Sequence, residues 1–268
     1  MSKARPRLLI AVTRKEDGVW SFYSTPQPQN PYNKSSQSPL VATNFKLKYP
    51  VGNCSHASGL LYFQDMFIPK EGTKRVLCNP LTGHHVILPE LEDHYVLTLR
   101  GGAAAAGELR SESFKLVNTE CRFHCRSHNL VSYKGKLCGI IMLDYDDCYY
   151  SGGLPLKLSL SMWLLEDVDK QEWSKHVYSF SVVSDVVKFD RNLSVSGLTA
   201  TGDIVLSMIY ASKPFYVFYF NPEKNTLQIV EILGVGADRD YRVYAFVDYV
   251  EDLSVNGAIQ LDSSGPLH

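Results

Sequence analysis

Apolar and polar residues alternate with a period of two along most of this chain, and the alternation is broken by short polar turns. Residues 8–12, "LLIAV", and 19–24, "VWSFYS", flank the charged tip "TRKEDG" at 13–18, which ends in Asp17-Gly18. That arrangement predicts a β-hairpin whose first strand is amphipathic. Residues 24–39, "STPQPQNPYNKSSQSP", hold four prolines and little that is apolar. They predict a surface connection of extended or irregular backbone.

A unit then recurs. A glycine opens a short apolar strand in "SGLLYFQD" (58–65), "YKGKLCGIIML" (133–143) and "TGDIVLSMIY" (201–210). A second strand follows: "RVLC" (75–78), "LSMWLL" (160–165) and "FYVFYF" (215–220). A polar turn then leads to a third strand, in "NPLTGHHVIL", "EDVDKQEWSKHVYSF" and "NPEKNTLQIVEI". Pro80 and Pro222 suit position i+1 of a turn, and the preceding Asn79 and Asn221 can hydrogen-bond forward to the backbone. Each such turn is the outer hairpin of a repeated meander. Repeated antiparallel meanders predict an all-β fold, β-propeller-like with kelch-like blades. A β-sandwich of similar hairpins is the competing architecture. The interval between the first two units leaves room for a degenerate one, with "RSESFKLVNTE" (110–120) as its last strand. The chain reads as a single domain, 1–268, with a low-complexity junction "GGAAAAGE" at 101–108 and a frayed tail at 262–268.

Composition narrows the function. Lys plus Arg number 27 against 28 Asp plus Glu, a net charge of −1, so no basic excess points to nucleic acid. No apolar run is long enough to span a membrane, and the five-residue run Leu8–Val12 is too short for a signal-peptide core. Six cysteines without a secretory signal read as free thiols in a reducing compartment, the cytoplasm or the nucleus.

No set of residues combines into catalytic chemistry. "CRFHCRSH" puts Cys121, His124, Cys125 and His128 at helical spacing. Four ligands from two turns of one helix cannot surround zinc tetrahedrally, and on a strand the histidines share a face with Arg122 and Arg126. "DYDD" (144–147) lacks the spacing and terminal Glu of an EF-hand and reads as a charged bend. "GVGADR" (234–239) lacks the third glycine of a dinucleotide loop. His84 and His85 are neighbours on a strand and point to opposite faces, one packed and one wet. Trp20, Trp163 and Trp173 read as packing residues. No nucleophile, base and orienter assemble, so no catalytic, cofactor, metal or binding residue is assigned, no cofactor is expected and an enzyme is not expected.

Several phrases in order carry a family resemblance: "RPRLLIAVTRKEDGVWSFYSTPQPQNP", "ASGLLYF", "VLCNPLTGHHVILPEL", "YVLTL", "LVSYKGKLCGI", "MWLLEDVDKQEWSKHVY" and "LTATGDIVLSMIYASKPFYVFYFNPEKNTLQIVEI". Over nearly its whole length the chain resembles the type 3 F-box-associated domain of plant F-box proteins. The resemblance implies a β-propeller-like interaction domain, the part of an F-box protein that holds the protein to be ubiquitinated. It implies no catalytic residue, no cofactor and no shared binding motif. The middle of the domain reads as shortened, because "LPELEDHYVLTL" runs directly into "RGGAAAAGELRSESFKLV", so an incomplete or open ring is expected. The chain opens directly on the associated domain. Docking to a Skp adaptor and cullin ligase is therefore expected only if an F-box is supplied elsewhere.

The function expected is a protein–protein interaction module with an unknown target protein, and neither nucleic acid nor membrane as partner. Two other readings stay open: a small-ligand or metal-binding propeller enzyme using "CRFHCRSH" and "DYDD", and a shortened relic with little independent function.

Overall fold

The computed structural model describes residues 6–14, 18–27, 36–48, 54–57, 60–68, 70–80, 85–88, 128–143, 156–167, 170–182, 193–236 and 240–249. Their regular structure is entirely β. The strands are β1 (Arg7–Arg14), β2 (Val19–Pro26), β3 (Ser36–Pro39), β4 (Val41–Lys48), β5 (Cys54–Ala57), β6 (Leu60–Ile68), β7 (Gly72–Cys78) and β8 (His85–Leu88). They continue with β9 (His128–Tyr133), β10 (Lys136–Leu143), β11 (Leu156–Asp167), β12 (Glu172–Val182), β13 (Leu193–Leu198), β14 (Ile204–Met208), β15 (Tyr216–Asn221), β16 (Thr226–Leu233) and β17 (Tyr241–Tyr249).

Four sheets result. Sheet 1 has the order β17-β1-β2-β4, sheet 2 β5-β6-β7-β8, sheet 3 β9-β10-β11-β12 and sheet 4 β13-β14-β15-β16-β3. Each is an antiparallel meander, apart from β3, which adds to β16 in parallel. Neighbouring sheets meet along their innermost strands: β13 lies against both β9 and β17, and β17 lies against β5. The sheets therefore fan out from a common axis in the order 3, 4, 1, 2. Among the described residues this arc is open between sheets 2 and 3, and it is not the two stacked layers of a sandwich. Sheet 1 joins the two ends of the described chain, since β17 takes the place inside β1 with Arg14 opposite Tyr241 and Arg7 opposite Tyr249.

Position in the arc explains the strand patterns. Sheets 1 and 4 are packed on both faces. Leu9, Ala11, Trp20 and Phe22 face sheet 2, while Leu8, Ile10, Val243 and Ala245 face Val205, Val217, Tyr219 and Val230 of sheet 4. Leu8–Ala11 is consequently buried throughout, which corrects the expected amphipathic first strand. Phe218 and Phe220 on the other face of sheet 4 pack on sheet 3, with Phe220 stacked 4.3 Å from Phe180. Among the described residues sheets 2 and 3 are packed on one face and alternate: Leu61, Phe63, Met66 and Ile68 are buried, whereas Phe67 is 49% exposed and Val177 of sheet 3 is 55% exposed.

The Asn-Pro turns are outer hairpins, between β7 and β8 and between β15 and β16. Asn221 Oδ1 accepts from the backbone N–H groups of Glu223 and Lys224 at 3.1 and 2.9 Å. The expected unit had three strands; the structure adds a fourth, innermost one (β5, β9, β13). Their sequences, "CSHA", "HNLVSY" and "LSVSGL", are short and rich in Ser, His and Gly, so they carry little apolar signal. Residues 24–39 also differ from expectation. Thr25 and Gln27 are buried, and Ser36–Pro39 forms β3, because an extended Pro-rich segment can supply an edge strand whose outer side needs no donor.

Candidate functional site

In every sheet the meander puts two kinds of connection at opposite ends of the strands. At one end lie the strand ends that lead from β5 to β6, β7 to β8, β9 to β10, β11 to β12, β13 to β14 and β15 to β16. At the other lie the strand ends that lead from β1 to β2, β6 to β7, β10 to β11 and β14 to β15, and those from which the chain passes between sheets: Lys48 and Cys54, Leu88 and His128, Val182 and Leu193, Leu233 and Tyr241. These are called the turn end and the connection end.

At the turn end charged and amide side chains pair with one another. Lys134 and Gly135 both have positive φ (50° and 78°), which is the backbone a two-residue hairpin requires. That turn places Lys134 beside Glu223 of sheet 4, and the shared hydrogen bond holds the carboxyl below and the ammonium above their usual ranges. Lys136 pairs with Glu166, and Lys170 Nζ lies 3.9 Å from Asp167 Oδ2. Asp203 Oδ1 accepts from Asn221 Nδ2 at 2.7 Å, and its Oδ2 accepts from Thr201 at 2.8 Å. Asp248 ties three segments: Oδ1 accepts from Gln27 Nε2 at 2.9 Å, Oδ2 accepts from the Ala200 N–H, and its own N–H donates to Gln27 Oε1 at 3.0 Å. Burial, then the Asp248 and Asp203 charges, push the phenol of nearby Tyr219 up.

The connection end is organised differently. Residues 209–211 run antiparallel to the start of β17, with Ala211 N–H donating to Tyr241 O at 2.9 Å and Val243 N–H to Ile209 O at 2.7 Å. This strip pairs Tyr210 with Arg242, and the exposed Lys213 follows it two residues after Ala211. The Arg242 guanidinium sits 4.8 Å from the Tyr244 ring centroid, and Tyr244 stacks on the fully buried Trp20 at 5.0 Å. Trp20 in turn meets Phe63 edge-on at 5.4 Å. Burial pushes the Tyr244 phenol up to about 12, so the ring under Arg242 stays neutral. Arg14, paired opposite Tyr241, stacks 5.6 Å from that ring's centroid. Neither Arg242 nor Lys213 has an ion-pair partner among the described residues.

The expected chemical candidates fall as follows. Cys121, His124, Cys125, residues 144–147, His84 and residues 237–239 lie outside the described residues. His128 starts β9, and His85 is buried on β8. Among the described residues no three His, Cys, Asp or Glu side chains converge. Cys54, Cys78 and Cys138 are free thiols, with burial pushing the latter two up to about 12. Trp20 is core, while half-buried Trp163 lies under Lys175 at 5.1 Å. Ser174, His176 and Glu166 come together on sheet 3, but Ser174 Oγ donates to Glu166 at 2.7 Å and lies 3.4 Å from His176. The carboxylate faces the hydroxyl instead of orienting the imidazole, the wrong order for a nucleophile–base relay. The sequence reading missed the Arg–Tyr cluster. Arg14 and Tyr241 sit near opposite termini, and only the pairing of β1 with β17 joins them.

Radial antiparallel sheets meeting at their inner strands, with the first and last strands sharing a sheet, define the β-propeller class. The chain belongs to the F-box associated β-propeller family: the model of the F-box associated beta propeller domain matches residues 7–99 and 107–250. Among its relatives in Arabidopsis thaliana, F-box only protein 12 is 45% identical over 99% of this chain and 74% of its own length. F-box protein At3g57590 is 36% identical over 98% and 82%, and F-box protein At1g67130 is 35% identical over 94% and 68%. The alignment with F-box only protein 12 runs to 313 positions against 268 residues here, so at least 45 positions of that relative have no counterpart in this chain. No solved structure matches the chain.

Proposed function

We propose that this chain is a protein–protein interaction module, the target-holding domain of an F-box type ubiquitin ligase receptor. The observation that carries the reading is the family match across both halves of the chain. A rigid β scaffold presenting its connection end to a partner is how such a module works without catalytic residues. On this reading, docking to a Skp adaptor and cullin ligase is the task of an F-box, while the propeller selects the protein to be modified. The reducing compartments where ligases of this kind act, cytoplasm or nucleus, suit the free thiols of Cys54, Cys78 and Cys138.

The test is affinity capture from plant extract with the intact, monodisperse chain as bait. A reproducible target enriched above background, and stabilised in plants when the bait's gene is disrupted, is the expected result. Clean bait that enriches nothing contradicts the reading.

A further inference from the structure

We propose that the Arg–Tyr cluster at the connection end, centred on Arg242 with Arg14, Lys213, Tyr210, Tyr241 and Tyr244, is the contact surface, and that it binds an acidic segment of the target protein. The inference rests on the recognition reading above and supplies its site and partner chemistry.

Three observations converge. First, Arg242 and Lys213 have no ion-pair partner among the described residues, whereas at the turn end Lys134, Lys136 and Lys170 are matched by Glu223, Glu166 and Asp167 and exposed Lys224 is not. In a chain of net charge −1, two cations left in this state mark a local preference for an incoming anion. Second, the guanidinium of Arg242 is held by a column of rings, Tyr244 then Trp20 then Phe63, that reaches into the core. Stacking fixes the plane of the fork and leaves its N–H edges to donate, the geometry that receives a carboxylate with two parallel hydrogen bonds. Less side-chain entropy is then lost on binding. Third, the residue types are Arg and Tyr, those that dominate binding energy at protein interfaces. The patch lies at the end of sheet 1 and mixes rings with cations on both of its faces, Arg242 and Tyr244 toward sheet 2 and Arg14 and Tyr241 toward sheet 4, which suits a carboxylate-bearing peptide. A nucleic-acid backbone asks for a longer basic track. Asp240 adjoins Tyr241 and is the opposing charge at this site.

The probes are a fluorescein-labelled peptide with Glu at alternate positions, the same peptide with Gln in place of Glu, and a single-stranded RNA oligomer. Binding to the full chain is read by anisotropy at low and physiological salt. The Glu peptide is expected to bind above the Gln peptide and to weaken with salt. Arg242→Gln and Arg242→Lys should each weaken it by about tenfold or more. Exposed Lys213→Gln, which leaves packing untouched, should weaken it a few-fold, and Asp240→Asn should tighten it. Lys134→Gln with Lys170→Gln at the turn end should leave it unchanged. Equal binding of both peptides, undiminished binding by the folded Lys213→Gln and Arg242→Lys variants, or tighter binding of RNA lost in those variants overturns the proposal. Target capture separates the two readings. If Arg242→Gln/Lys213→Gln bait still captures the target, the patch is refuted and the recognition role stands. If the peptide binds as stated but no bait captures a target, the recognition role fails and the patch stands.

Discussion

The two ends of the strands answer the same problem, polar groups at the edge of a β core, in opposite ways. At the turn end short hairpins point side chains at one another, and Asp203, Asp248, Asn221 and Gln27 consume each other's donors and acceptors. At the connection end rings stack on the cations Arg14 and Arg242. A cation–π contact holds a guanidinium without neutralising it. The first end spends most of its charges on internal pairs, and the second is where the proposed binding surface lies.

The largest way to break the contrast is at Asp248. Its φ of 52° suits Asp or Asn, and it accepts hydrogen bonds from two segments while its N–H donates to buried Gln27. Asp248→Ala combines a strained backbone with an orphaned donor on buried Gln27, so chemical denaturation should show a loss of about 3 kcal/mol. Asp248→Asn, which keeps the backbone preference and an acceptor, should lose about half as much.

His56 gives the next effect. It lies on β5 between the rings of Phe246 and Tyr249, at 5.9 and 5.8 Å, and burial lowers its pKa to about 4. The folded state resists the proton that the unfolded state takes near pH 6.5. Stability should therefore fall as pH drops from about 6.5 to about 4, by about 3 kcal/mol, and the His56 contribution should flatten below that. Denaturation of His56→Gln at a series of pH values should lack this component. Equal slopes for both proteins in that window would remove the assignment.

Smaller effects sharpen the comparison from the other side. Lys213→Ala at the connection end should change stability by less than about 0.5 kcal/mol while weakening binding. Lys134→Ala at the turn end breaks an exposed pair, and the thermal midpoint should not move measurably, because solvent and salt screen it. A large midpoint shift there would mean that the turn end depends on its ion pairs more than on Asp203 and Asp248.

Much of the scaffold was legible in the residues. Glycine-led strands and Asn-Pro turns located β6, β10, β14 and the outer hairpins, because turn chemistry is local. The inner strands were not legible, since their short polar sequences are held by neighbouring sheets and not by their own apolar pattern. Leu8–Ala11 was misjudged for a related reason: a strand packed on both faces loses the alternation that a one-sided sheet imposes. The Arg–Tyr cluster was invisible because no spacing in one dimension predicts that Arg14 and Tyr241 share a register pair. Whole-chain resemblance supplied the family, and pairing across the chain supplied the proposed site.

The most direct measurement is lysine footprinting by acetylation and mass spectrometry, comparing the free chain with the chain bound to its captured target. The account predicts that Lys213 becomes protected while Lys170 and Lys224, exposed at the turn end, stay as reactive as before. Protection of Lys170 and Lys224 with Lys213 unchanged would place the partner at the wrong end and contradict it.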